Sequence, residues 1–124
     1  MPTREIPPSE WSAFFDSFSR RHQGWLVTIE VLAYDIGAQV AAHELALQGI
    51  TAEMKDESAG AISIMAGGEP AAHVTHTITA PTLVRLKQSE EGADEALEIE
   101  SASGTITLVR FRSAMPTEMV DGIL

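Results

Sequence analysis

Between Ser9 and Trp25 the chain carries Trp11, Phe14, Phe15, Phe18 and Trp25, five of its seven aromatic residues. The first four sit at i, i+3, i+4 and i+7, which places them on one stripe of an α-helix. Each large apolar side chain removed from water contributes about 1.5–3 kcal/mol. Left exposed, such a stripe drives aggregation. The spacing therefore predicts a helix over 9–23 whose rings form a core face, and the rest of the chain has to supply the surface they cover. An exposed helix docking in a partner's groove is the competing reading of the same stripe.

The flanks agree with a helix. Residues 1–8 hold three prolines and read as an extended arm. Pro8 blocks backward extension, and the Ser9 hydroxyl is suited to cap the first turn. Arg20, Arg21 and His22 put positive charge where the macrodipole prefers it. Gly24 follows as a left-handed stop.

The remainder changes period from helical to alternating. Trp25, Val27, Ile29 and Val31 share one face of a predicted strand, with Leu26, Thr28, Glu30 and Leu32 on the other. Over 38–54 the alanine-rich beginning has helix propensity, but Leu45/Leu47 and Ile50/Ala52/Met54 alternate. A strand bent or bulged near Gly49 is the reading preferred there. Short strands follow at 62–66, 73–79 and 83–88, with Pro81 marking an end, edge or bulge. In 73–79, Val74, His76 and Ile78 share a face. The segment 96–112 reads as a hairpin in which Ser101-Ala102-Ser103-Gly104-Thr105 forms a turn closed by a glycine bulge. Leu97 then opposes Val109 and Ile99 opposes Thr107. The tail, 113–124, suits a short helical turn beginning near Pro116.

These elements predict one domain over 1–124 of α+β, mostly β class. An N-terminal amphipathic helix packs on a bent antiparallel sheet, or on a small open barrel, of about six strands. A leading helix before bent strands is similar in layout to SH3-type and Sm-like small barrels. Layout alone does not give function.

Composition narrows the classes of function. Eight basic residues against 18 acidic give a net charge of −10. Such a chain repels phosphate backbones unless its cations gather on one face, so nucleic acid is disfavoured as a partner. Cysteine is absent, which removes disulfides, thiol catalysis and thiolate metal sites. No apolar run approaches the roughly 18 residues of a membrane span. No apolar signal segment is visible near the N-terminus, so the cytoplasm is the expected location.

Candidate chemistry is sparse. His22, His43, His73 and His76 lack metal-ligand spacing, and His73 and His76, three apart in a strand, point to opposite faces. Arg85, Lys87, Arg110 and Arg112 are half of the basic residues and fall in two strands of the final sheet. With Glu98 and Glu100 between them they form either a cross-strand charge ladder or a contact site for an anion or acidic partner. Arginine neighbours would hold those glutamates ionised, which is wrong for general-acid work. No nucleophile-elbow pattern is present, and Gly67-Gly68 lacks the spacing and lysine of a phosphate-binding loop. No catalytic, cofactor-binding or metal-ligating residue is assigned, and no cofactor is expected.

Arg4-Glu5-Ile6-Pro7 with Trp11 and Phe14/Phe15, then His76-Thr77-Ile78 followed by Ala80-Pro81, and Leu108-Val109-Arg110-Phe111 together resemble a family of small bacterial proteins of unknown function. The resemblance runs through nearly the whole chain. It implies a bacterial, single-domain, stand-alone protein and transfers no activity. The reading that follows is a non-enzymatic interaction or binding module acting on a protein partner or by self-association as a homo-oligomer, with no membrane role. The alternatives are a small-molecule binder or enzyme with a pocket between the aromatic helix and the sheet, and an RNA-binding small barrel.

Overall fold

A computed structural model of the protein describes residues 3–33, 35, 37–55, 58–67, 73–90 and 93–112. The helical turn expected in 113–124 lies outside them. The chain is mostly β, with strands β1 (Thr3–Glu5), β2 (Leu26–Ala33), β3 (Gly37–Lys55), β4 (Ser58–Ala66), β5 (Val74–Thr79), β6 (Pro81–Gln88), β7 (Asp94–Ser101) and β8 (Ile106–Arg112). One helix, α1 (Trp11–His22), follows a single 3₁₀ turn at Pro8–Glu10. The eight strands form one antiparallel sheet in the order β1-β6-β7-β8-β2-β3-β4-β5, and it is not closed.

The helix carries the aromatic stripe into the core. Trp11, Phe15 and Phe18 are at most 1% exposed, and Phe14 packs against them from the margin. The Trp11 indole nitrogen donates to the Ile6 carbonyl at 2.8 Å, so its one polar atom is satisfied on burial. Phe18 meets Phe111 of β8 at 5.2 Å between ring centres. On the opposite flank the Ser19 hydroxyl accepts from the Ile50 amide at 2.8 Å and lies 3.1 Å from the Ile50 carbonyl, which ties α1 to β3.

The helix start differs from expectation. Ser9 is not its cap. Pro7 and Pro8 lead into the 3₁₀ turn, Glu10 occupies the cap position, and no side chain bonds the first turn. Residues 3–5 of the expected arm are also a strand: Thr3, Arg4 and Glu5 pair with Lys87, Leu86 and Arg85 of β6. Ile6, which follows, is 2% exposed.

The sheet bends because β3 is long and irregular. Its first half pairs with β2 and its second half with β4. The β2 pairing slips on both sides of Ile29: His43 and Glu44 together stand against Thr28, Ala41 is extra between the partners of Ile29 and Glu30, and Glu44 has a φ of +49°. The β4 pairing slips between Leu47 and Gly49, as the alternating pattern around Gly49 predicts. These irregularities turn the β3-β4-β5 portion back over the rest, and β4 comes to lie against β6. A second corner lies at Ala80, which joins β5 to β6 with a φ of +50°. Its amide donates to the Gly60 carbonyl, and its own carbonyl accepts from the Ala102 amide.

The core fills the space so enclosed. Val27, Ile29, Val109, Leu97, Ile99, Val84 and Leu86 line one wall, and Leu47, Ile50, Ile62, Ile64 and Ile78 line the other. The hairpin register is the expected one, with Leu97 opposite Val109 and Ile99 opposite Thr107. Its turn closes through the Ser101 amide on the Thr105 carbonyl, and Gly104 takes the left-handed φ of +91°.

Candidate functional site

Three places on this frame combine polar chemistry with access or burial. The first is the outer face of the sheet. Arg85, Lys87, Arg110 and Arg112 all lie there, on β6 and β8, with Glu98 and Glu100 on β7 between those strands. Arg85 stands directly across from Glu98 at 3.5 Å. Arg110 reaches instead to Glu30 on β2 at 2.9 Å, and Arg112 to Glu44 on β3 at 2.5 Å. The basic residues of β8 therefore pair outward toward β2 and β3 and not back toward β7, because Ala96 stands opposite Arg110. All three arginines are well hydrated, so each pair contributes about 0.2–1 kcal/mol. Lys87 is exposed and makes no ion pair among the described residues.

The second is a groove of about 710 Å³ along the flank of α1. Ser12, Asp16 and Ser19 form one side, and Gly49, Thr51 and Met65 the other. The aromatic stripe does not line it, because the rings are turned into the core on the other side of the helix. Asp16, the acid in this groove, is paired with Arg20 one helical turn later at 2.6 Å.

The third is a hollow of about 160 Å³ at one mouth of the bent sheet. His76 enters it from β5, Thr107 from β8 and Ser101 from the end of β7, with Val31 and Ile78 as the apolar surroundings. His76 is half-buried, and burial lowers its imidazole pKa from the ordinary 6.5 because the charged form loses hydration there. Thr107 is 2% exposed. Ser101 and Thr105 belong to the hydrogen-bonded turn, with Ser101 Oγ 2.8 Å from Ser103 Oγ and Ser103 Oγ 3.2 Å from Thr105 Oγ1. As the alternation predicts, His76 shares its inward face with Val74 and Ile78. His73 stands exposed near Thr75.

The sequence reading missed one polar constellation. His22, read from the sequence as positive charge at the helix end, is 3% exposed and meets Asp94 through Nε2 and Oδ2 at 2.8 Å. The Asp94 side chain is 9% exposed. The available signal was helical spacing: His22 lies four residues beyond Phe18, so it continues the aromatic stripe. Its partner carries no local signal. Among the described residues no three His, Asp or Glu side chains gather closely enough to hold a metal ion. No helix among them is long and apolar enough to cross a membrane.

Comparison with known proteins places this frame. An uncharacterized protein of Aquifex aeolicus (strain VF5) is 27% identical over 116 residues, covering 94% of this chain and 97% of that one. No solved structure matches the chain. Residues 2–120, which include the helix and every strand, match the family of unknown function DUF5335, and the chain belongs to that family.

Proposed function

We propose that the protein is a non-enzymatic interaction module that works by self-association, with β5 of one copy pairing antiparallel to β5 of a second. The observation that carries this is the contrast between the two edges of the sheet. The β1 edge is three residues long and carries Arg4 and Glu5. Short, charged edges of this kind discourage further pairing. The β5 edge is six residues, Val-Thr-His-Thr-Ile-Thr, with no acidic, lysine or arginine side chain and no proline. Two copies that each carry −10 approach best along such an uncharged strip. Two identical antiparallel edges also satisfy a two-fold axis, the commonest symmetry of homo-oligomers.

The placement of His22 and Asp94 supports a non-enzymatic role. A histidine beside an aspartate suggests proton-transfer chemistry, but here both side chains are covered by aromatic rings and strand ends. No reactant atom can reach hydrogen-bond distance of them without unpacking the helix. The groove beside α1 favours the second reading, a small-molecule site, since its walls carry several hydroxyl groups.

Sedimentation velocity over a wide concentration range tests the self-association. The wild type is expected to dimerise. The double variant Thr75→Glu/Thr77→Glu, which sets like charges across the two-fold axis, is expected to remain monomeric while keeping its circular dichroism spectrum. A wild type that stays monomeric throughout removes the proposal, as does a dimer that survives the double substitution.

A further inference from the structure

The geometry points to a binding site for a small neutral polyol in the hollow between His76 of β5 and Thr107 of β8. Thr107 lies on the inner face of β8, opposite Ile99 on one side and Val31 on the other. It is 2% exposed, and its hydroxyl has no hydrogen-bond partner among the described residues. A buried hydroxyl without a partner costs about 1–3 kcal/mol. Valine would fill the same volume in this strand without that cost. Across the hollow the His76 ring, also without a hydrogen bond among the described residues, offers one donor and one acceptor in its neutral form. Two polar groups from opposite walls thus face one cavity, and neither bonds to protein.

The lining sets the ligand class. No carboxylate, lysine or arginine side chain borders the hollow, and burial favours the neutral form of His76. An anion therefore finds no countercharge there, and the net charge of −10 opposes it further. A cation finds no carboxylate. Serine and threonine hydroxyls dominate the rest of the wall, with Val31 and Ile78 as the apolar part. A polyol matches both key groups, because each of its hydroxyls both donates and accepts. At roughly 30 Å³ per water, a cavity of 160 Å³ holds about five waters, or a molecule the size of glycerol or erythritol. The site lies on the inner face of β5, and pairing between copies uses the strand's edge. Either proposal can therefore fail while the other stands.

The test is titration with glycerol and with erythritol, read on the His76 imidazole resonances by NMR, with acetate and methylammonium as charged probes of similar size. The expected result is a saturable shift with at least one polyol and none with either ion. Thr107→Val is expected to weaken polyol binding at least about tenfold, and Thr107→Ser to retain it. Thr107→Ala, which cannot crowd its neighbours, serves as the second loss variant. Absence of a saturable polyol shift overturns the proposal, as does binding unchanged in both loss variants or saturation by an ion. A Thr107→Val protein that is more stable than wild type, in a background where no polyol binds, shows a hollow that holds water only and also overturns it.

Discussion

His22 and Asp94 meet at 2.8 Å beneath Phe18 and Phe111, joining the last turn of α1 to the first residue of β7. The imidazole stacks on Phe18 at 3.9 Å between ring centres and meets Trp25 edge-on at 4.5 Å. Its Nδ1 lies 2.9 Å from the Phe18 carbonyl. A carbonyl only accepts, so Nδ1 carries a hydrogen. On the other side of the ring, Nε2 faces the Asp94 carboxylate Oδ2 at 2.8 Å. The other carboxylate oxygen accepts from the Gln88 amide at 2.8 Å, and Arg21 approaches at 4.0 Å. The helix end is thereby fastened to the β6–β7 hairpin.

That geometry separates two substitutions at one position. Asp94→Ala leaves the buried His22 Nε2 without its partner and removes the contact to the Gln88 amide, and is expected to cost about 2–3 kcal/mol. Asp94→Asn restores both contacts, because the carboxamide can donate to a neutral imidazole and accept from Gln88. It is expected to cost under about 1 kcal/mol. Urea unfolding of the two variants checks this, and equal losses would show that the pair does not act through these hydrogen bonds.

Phe15 lies fully enclosed between the helix and the sheet. Phe15→Ala is expected to destabilise by about 3–5 kcal/mol, from lost transfer energy and the cavity left behind. Phe14 is only partly buried, so Phe14→Ala is expected to cost clearly less. Thermal and urea unfolding of both variants give the ranking. A reversed order would mean that the stripe faces the other way.

Ala80 holds a left-handed φ of +50° immediately before Pro81. That conformation costs a non-glycine residue about 1–2 kcal/mol. Glycine adopts it freely but adds flexibility to the unfolded chain. Ala80→Gly is therefore expected to stabilise by about 0.5–1 kcal/mol, visible as a higher urea midpoint with an unchanged slope.

Burial lowers the pKa of His76 from 6.5, so between the folded and unfolded values the unfolded chain binds more protons. The stabilising effect of the neutral ring is fully present above 6.5 and is lost as the pH falls toward the lowered folded value. His76→Gln removes this dependence. The difference in unfolding free energy between wild type and His76→Gln should change between pH 7.5 and pH 5.5, with the wild type losing relative stability on acidification. A pH-independent difference would place the ring in water.

The aromatic helix, the hairpin register from Leu97–Val109 to Ile99–Thr107, and the irregularity near Gly49 were all legible in the sequence. Each is written in a local period or in a turn residue, where neighbours within a few positions decide the conformation. The histidine on the inner face of β5 was legible for the same reason. Its placement opposite Thr107 was not.

Only the tertiary structure decided what meets across the bends. Residues 3–5 become an edge strand because β6 offers them an unpaired side, which no local pattern in a proline-containing arm announces. Arg110 finds Glu30 from 80 positions away, and Arg112 finds Glu44 from 68. Glu98, the nearer candidate, is taken by Arg85. His22 finds Asp94, and His76 comes to face Thr107, only after the bulged β3 has folded one part of the sheet over the other. Periodicity assigns each side chain to a face. Which faces then touch depends on the accumulated bend and register of several strands, and no single segment of the chain encodes that sum.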